Sequence, residues 1–263
     1  MTERVDDQGD GAANYERAPF RVCALIPTYD NPETVRGVVE RVREFIPDVL
    51  VVDDHSATLG EQACAALNAD GMALVRRRTR NGGKGAAVKT GLAFAKEQGF
   101  THAFQVDADG QHDLTQMPKF LEIARANPNA LLLGCPQYDE SAPRHRVVAR
   151  KFTRFWVNLE VGGAGIIEDS MIGFRIYPVE AALSVTVWGD RMDFDIEIAV
   201  RMVWAGVRTI NIPVPVRYLT EEEGGLSHFQ PLRDNLRFAA LHSRLCTIGC
   251  TVWCMRKVGL IKR

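Results

Sequence analysis

Short apolar runs alternate with helix-periodic stretches through the first half of the chain. Residues 1–18 carry no apolar period, and they predict a flexible acidic tail. Arg21–Ile26 is then an apolar run closed by Pro27, the signal of a buried strand. Pro32 and Glu33 open a helix whose apolar positions Val35, Val38, Val39, Val42 and Ile46 recur with period 3.6. Asp48–Val52 predicts a strand, Leu59–Leu67 a helix and Met72–Val75 a strand. The turn Asn81–Gly85 leads into a helix through Lys96, and Thr101–Val106 predicts the fourth strand. Such alternation means parallel strands joined by crossover helices, an α/β sheet. Ligands of such sheets bind beyond the carboxyl ends of the strands. Four polar clusters fall there: Thr28-Tyr29-Asp30, Asp53-Asp54, the Gly/Lys turn and Asp107-Ala108-Asp109.

The second half is less regular. Helices are predicted over Leu114–Ala126, Arg144–Val161 (basic and aromatic), Phe194–Trp204 and Pro231 to about Val258. Strands are predicted over Ala130–Gly134 and Arg208–Ile212. Gly162–Gly165 breaks the basic helix, and Glu221–Gly225 reads as a loop.

Composition narrows the class. The 263 residues are 46% apolar and 25% charged, which suits a globular core and rules out disorder throughout. Lys plus Arg is 32 and Asp plus Glu is 33, so the formal charge of −1 argues against a nucleic-acid partner. That sum joins an acidic head (Glu3, Asp6, Asp7, Asp10, Glu16) to a basic tail (Arg233, Arg237, Arg244, Arg256, Lys257, Lys262, Arg263). Six cysteines form no C-x-x-C pair and predict free, buried thiols in a reducing compartment. The polar N-terminus predicts no signal peptide, and no apolar run reaches the ~18 residues of a membrane span.

The clusters suggest chemistry. Asp107 and Asp109 at i, i+2 on extended backbone point to one side, and two hard oxygen ligands suit Mg²⁺ or Mn²⁺ with a diphosphate completing the shell. Gln111 and His112 stand close enough to add ligands. Asp53 and Asp54 can accept hydrogen bonds from a nucleobase or ribose, or cap a helix. The turn Asn81–Ala86 with Lys84 predicts a phosphate cradle at a helix N-terminus. It is not a P-loop, and no G-x-G-x-x-G follows the first strand. Asp193 and Asp195 have two readings, a general base for an acceptor hydroxyl or helix capping, and Asp169 is another base candidate.

The segments IPTYDNPET, VVDDHS, NGGKGAAVKTGL, VDADGQHD, ED…GFR and MDFDIEIAVR occur in that order. Together they resemble the family 2 glycosyltransferases, and most of all the dolichyl-phosphate mannose synthase branch, over roughly Arg21 to Ser227. The resemblance implies a GT-A fold: an α/β, Rossmann-like, mostly parallel sheet flanked by helices, here with a C-terminal amphipathic helix. It also implies a nucleotide-sugar donor (UDP- or GDP-linked), a divalent metal and inversion at the anomeric carbon. Carried over by position, Pro27, Thr28 and Tyr29 border the nucleotide, and Asp54 binds base or ribose with Asp53 beside it. Lys84 lies at the donor, and the Asp107-Ala108-Asp109 segment with Gln111 holds metal and diphosphate. Arg175 and Arg217 face phosphate. Three positions depart from the pattern: Asp30-Asn31, Gly134-Cys135-Pro136 and Ser227-His228. The donor half thus matches, while two contacts for an acceptor phosphate are changed.

The expectation is a single domain over 19–228, with a donor half at about 20–112 and an acceptor half at about 113–228, followed by a helix over 229–263. Its expected activity is transfer of a sugar to a lipid-linked or polyprenyl-phosphate acceptor, in the cytoplasm, peripheral on the inner membrane face. A sugar nucleotidyltransferase and a non-catalytic nucleotide-sugar-binding protein are the alternatives. The last helix interleaves Leu241, Leu245, Ile248 and Val252 with Arg244, Arg256 and Lys257. It reads either as an interfacial membrane anchor or as a helix packed on the sheet.

Overall fold

A computed structural model describes residues 19–138, 144–216 and 231–257. Strands β1 (Val22–Thr28), β2 (Val49–Asp53), β3 (Leu74–Arg77) and β4 (His102–Gln105) alternate with helices α1 (Val35–Arg43), α2 (Thr58–Ala69) and α3 (Lys84–Glu97). After them come α4 (Met117–Ala126), β5 (Leu131–Tyr138), α5 (Arg144–Val161), β6 (Arg175–Pro178), α6 (Val179–Leu183), α7 (Asp193–Trp204), β7 (Thr209–Val216) and α8 (Pro231–Lys257). The strands form one sheet in the order β3-β2-β1-β4-β6-β5-β7. All described pairings are parallel except those of β6, which runs antiparallel to both β4 and β5.

Both faces are covered, as such a sheet requires. Ala24, Ile26, Val51 and Phe104 pack under α1, α2 and α4 with Val38, Val42, Leu67 and Phe120. The alternate residues Cys23, Leu25, Val52 and Ala103 pack under α3, α7 and α8 with Val88, Leu92, Phe194, Leu241 and Leu245.

β1 runs one residue past Pro27, which is paired in register with Val52. A proline inside a central strand normally removes a ladder bond. Here Leu25 O accepts from Val106 N on the β4 side, so by alternation Pro27 faces that side too. β4 has already ended at Gln105, so no partner acceptor is left unmet there.

The structure bears on two expectations. Of the two readings of α8, Leu241 and Leu245 favour packing on the sheet, being fully buried in the core, whereas Leu236 is exposed. The thiols are not uniformly buried either. Cys23 and Cys64 are, whereas Cys135 and Cys246 are half-buried and Cys250 is exposed. The acidic head and the last six residues lie outside the described residues.

Candidate active site

The ends of β1, β2 and β4 place the first loops side by side. Asp30, in the left-handed region at φ 51°, donates its N–H to Ser56 Oγ (2.9 Å), and its carboxylate accepts from Ala57 N (2.7 Å). Asn31 Nδ2 donates to Tyr29 O at 2.9 Å. Thr28 lies in register with Asp53, and Tyr29 leaves its ring 40% exposed at the rim.

Asp53 and Asp54 are both buried and both engaged. Asp53 accepts from Ser56 N (2.8 Å) and pairs with Arg77, whose Nη2 also donates to Ser56 O (3.0 Å). Asp54 pairs with Arg78 and accepts from the N–H groups of Gly82 (3.1 Å) and Gly83 (2.6 Å). Two amides of the expected phosphate cradle are therefore spent on Asp54, so the turn is a carboxylate clamp. Arg77 and Arg78 escaped the sequence reading. The signal for them was the run Arg76-Arg77-Arg78 closing β3 next to the acidic end of β2, with Asp53 and Arg77 in register.

The centre of the site lies beyond β4. Lys84, the first residue of α3, places Nζ 2.8 Å from both oxygens of Asp107 and 3.2 Å from Asp195 Oδ2. Burial favours the neutral amine, but the charges of Asp107 and Asp195 outweigh it and hold Lys84 protonated. Burial likewise opposes ionisation of Asp107. Lys84, and His112 whose Nε2 stands 3.5 Å away, override it and pull that carboxyl well below the usual range. Asp109 is pushed the other way, upward, by burial and then by the charge of Asp107. Gln111 donates its backbone N–H to Asp109 Oδ1 (3.0 Å). Between the two carboxylates Ala108 turns its side chain into the core, and its carbonyl accepts from Thr34 Oγ1 (2.7 Å).

This donor set suits an oxygen-seeking divalent cation. A half-buried carboxylate pair in which one member resists ionisation is short of positive charge. Among the described residues no group of three Asp, Glu, His or Cys forms a complete cage.

The other expected residues divide. Asp195, 1% exposed in the first turn of α7, belongs to the cluster through Lys84. Asp193, the first residue of α7, accepts from Arg191 N (3.1 Å) in the loop before it, so it does not cap the helix. Asp169 is spent on Arg150 and on the amides of Met171 (2.8 Å) and Ile172 (2.9 Å). Arg175 is corrected: it is fully buried and donates to Ile172 O (2.8 Å), Asp195 O (2.9 Å) and Ser170 O (3.2 Å). Buried donors take the nearest acceptors, here carbonyls, so Arg175 braces α7 instead of facing a phosphate. Arg217, Ser227 and His228 lie outside the described residues. Gly173 matters more than its place in the motif suggested. A Cβ there would lie 2.5 Å from Asp107 Cγ and nearer still to both oxygens.

A second concavity, of about 250 Å³, opens between β5 and α5. Cys135, Gln137, Arg150, Lys151, Arg154 and Asp169 are among the residues lining it.

The family model for glycosyl transferase family 2 matches residues 23–182, more than half of the chain. The undecaprenyl-phosphate mannosyltransferase of Micrococcus luteus is 26% identical over 209 residues, 74% of this chain and 83% of that protein. The polyprenol monophosphomannose synthase of Mycolicibacterium smegmatis is 28% identical over 237 residues, 86% of each chain. Among solved structures, glucosyl-3-phosphoglycerate synthase from Mycobacterium tuberculosis superposes with a TM-score of 0.65 at 15% identity, covering 87% of this chain and 79% of that one. That likeness shows the GT-A fold, and the family match sets the nucleotidyltransferase alternative aside. A carboxylate pair closing the fourth strand of a GT-A sheet is thus set within a sequence that belongs to glycosyl transferase family 2.

Proposed function

We propose that this enzyme moves one sugar, with inversion, from a UDP- or GDP-sugar to a polyprenyl phosphate at the cytoplasmic face of a membrane. The observation that carries the reading is the half-buried Asp107/Asp109 pair at the end of the sheet, with Lys84 held against Asp107. Asp107, Asp109 and Gln111 would hold Mg²⁺ or Mn²⁺, which when bound neutralises charge on the leaving diphosphate. Lys84 supplies a fixed cation beside the same diphosphate, and Tyr29 offers a ring at the rim for the base. The bond from the anomeric carbon to diphosphate breaks as an acceptor oxygen attacks from the opposite face.

An acceptor phosphate is already ionised at neutral pH and needs no general base. The engagement of Asp169 by Arg150 and two backbone amides agrees with this, since that carboxylate does not stand open. Asp195, between Lys84 and Arg175, orients the lysine. In the cleft between β5 and α5, Arg150 and Arg154 are paired with Asp169 and Glu168, and Lys151 beside them offers a cation for the acceptor phosphate, where Gly134-Cys135-Pro136 departs from the family pattern. The relatives named above, a mannosyltransferase and a phosphomannose synthase acting on polyprenyl carriers, support the acceptor class.

Among the described residues no helix is long and apolar enough to cross a membrane, so we infer peripheral attachment. Helix α5, in place of α8, is the surface for it. Phe152, Phe155 and Leu159 follow the spacing i, i+3, i+7 and are 63%, 62% and 60% exposed. The helix also carries Arg144, Arg146, Arg150, Lys151 and Arg154. An exposed apolar stripe beside cations suits an anionic lipid surface. The triple variant F152S/F155S/L159S should lose at least about tenfold in co-sedimentation with phosphatidylglycerol/phosphatidylcholine vesicles; unchanged binding contradicts this placement.

The function itself is tested by incubating the enzyme with UDP- and GDP-linked [¹⁴C]mannose and [¹⁴C]glucose, Mn²⁺ or Mg²⁺, and a polyprenyl phosphate. Label should pass to the organic phase for one donor and not when the free polyprenol replaces its phosphate. Transfer to a water-soluble phosphate such as 3-phosphoglycerate alone would contradict the lipid acceptor.

A further inference from the structure

Helix α8 reaches the donor turn through a buried carboxylate. Glu197, on α7, is fully buried, and four groups converge on it. Arg201 Nε donates to Oε1 at 2.7 Å. Oε2 accepts from Arg244 Nη2 of α8 (2.7 Å), from Gly189 N (2.7 Å) and from Trp188 N (3.2 Å). The guanidinium groups of Arg201 and Arg244 each lie 4.9 Å from the centre of the Trp188 ring. One carboxylate and one indole thus lock α7, α8 and the loop 187–192 together. A charge-assisted bond at a fully buried carboxylate is strong, and losing one partner leaves that charge short of donors.

The loop so held is one wall of the turn that carries Lys84. Asp190 O accepts from Ala86 N (2.9 Å), and Lys89 Nζ contacts Asp190 Oδ1 (2.5 Å) and donates to Val187 O (3.2 Å). Gly83, at φ 98°, lies so near the loop that a Cβ would stand 2.6 Å from Arg191 Cγ and 2.9 Å from Asp190 O. Gly85 abuts Phe194 in the same way, its Cβ position lying 2.8 Å from Phe194 Cγ. The wall and the first turn of α3 are thus in direct contact, which couples the loop to Lys84. The sequence motifs of the family end before α8, so they give Arg244 no part in the site.

We propose that Arg244 is a positioning residue for the donor site: through Glu197 and Trp188 it fixes the loop 187–192 and thereby the Lys84 turn, making α8 a working part of nucleotide binding. The inference takes from the proposed function only that a nucleotide binds beside Lys84.

The test compares wild type with R244Q, R244K and W188L by two measurements. The first is amide hydrogen exchange in the unliganded protein, which needs no donor and so stands whatever the sugar or acceptor proves to be. R244Q should speed exchange in residues 187–192 and 82–87 while the strands stay protected. The second is titration with UDP and with GDP in the presence of Mn²⁺. R244Q should weaken the nucleotide that binds wild type by about tenfold, and R244K, which keeps the charge-assisted bond, should restore most of it. Trp188 is largely exposed, so W188L keeps the fold and should give a smaller change of the same pattern, deciding the matter if R244Q does not fold. Faster exchange confined to residues 236–251, or nucleotide affinity within twofold of wild type, overturns the proposal. If neither nucleotide binds wild type, the donor reading fails, and the exchange pattern alone decides the role of Arg244.

Discussion

Asp109→Ala is expected to lower sugar transfer by at least about 10³-fold without lowering the thermal midpoint. Preorganised charge facing a leaving group is commonly worth about 10²–10³-fold per group, and loss of a cation ligand adds to that. The stability side follows from the local electrostatics. Asp109 is half-buried beside Asp107, and both desolvation and that charge resist its ionisation. Removing it relieves repulsion in the unliganded enzyme, so the midpoint should hold or rise, as at sites where function is kept against stability. Asp107→Ala should differ. Its carboxylate is the nearer partner of the half-buried Lys84, which the variant leaves with Asp195 alone at 3.2 Å, so both activity and midpoint should fall. Parallel transfer assays and thermal unfolding of the two variants check this contrast. Equal midpoints, or transfer by D109A within tenfold of wild type, would contradict the assigned roles.

Gly173→Ala should be nearly as damaging although it adds one methyl group. Gly173 is not among the residues with positive φ, so alanine meets no backbone strain there. What it meets is Asp107, with Cγ 2.5 Å from the added carbon. Folded proteins do not tolerate such a separation, so the carboxylate must swing off Lys84 or the segment before β6 must move. Transfer should fall by about 10²-fold, and stability by about 1–3 kcal/mol, the usual cost of overpacking. The methyl acts through one side chain, so a double-mutant cycle isolates it. In a D107G background the stability cost of G173A should largely vanish. A cost that is the same in both backgrounds would mean that the glycine serves something other than Asp107.

The donor half was legible because its strands are short apolar runs closed by polar residues, with no competing signal. Alternation gave β1 to β4, and the position of Asp107-Ala108-Asp109 after β4 separated it from the second D-x-D, which opens α7. β6 was missed: RIYP is four residues long, buried throughout and without alternation, so only its neighbours make it a strand. Motif spacing also misplaced Arg175. A sequence position cannot tell a buried brace from a phosphate contact, and the three carbonyls around its guanidinium make the difference. The same limit explains α8 and α5. Apolar residues at helical spacing look alike whether they meet protein or lipid. Only the packing showed that Leu241 and Leu245 are spent and that Phe152, Phe155 and Leu159 are not. Arg77 and Arg78 stayed hidden because their partners, Asp53 and Asp54, come from a strand about two dozen residues earlier.

The claim on which the account rests is that Asp107 and Asp109 bind the cation of a nucleotide-sugar. Crystals grown with Mn²⁺ and UDP or GDP, measured at the manganese absorption edge, test it most directly. The account predicts one strong anomalous peak within coordination distance of both carboxylates and of the nucleotide diphosphate, absent from D109A crystals. A peak elsewhere in the fold, or a nucleotide bound at the end of the sheet with no manganese between it and these two residues, would contradict it.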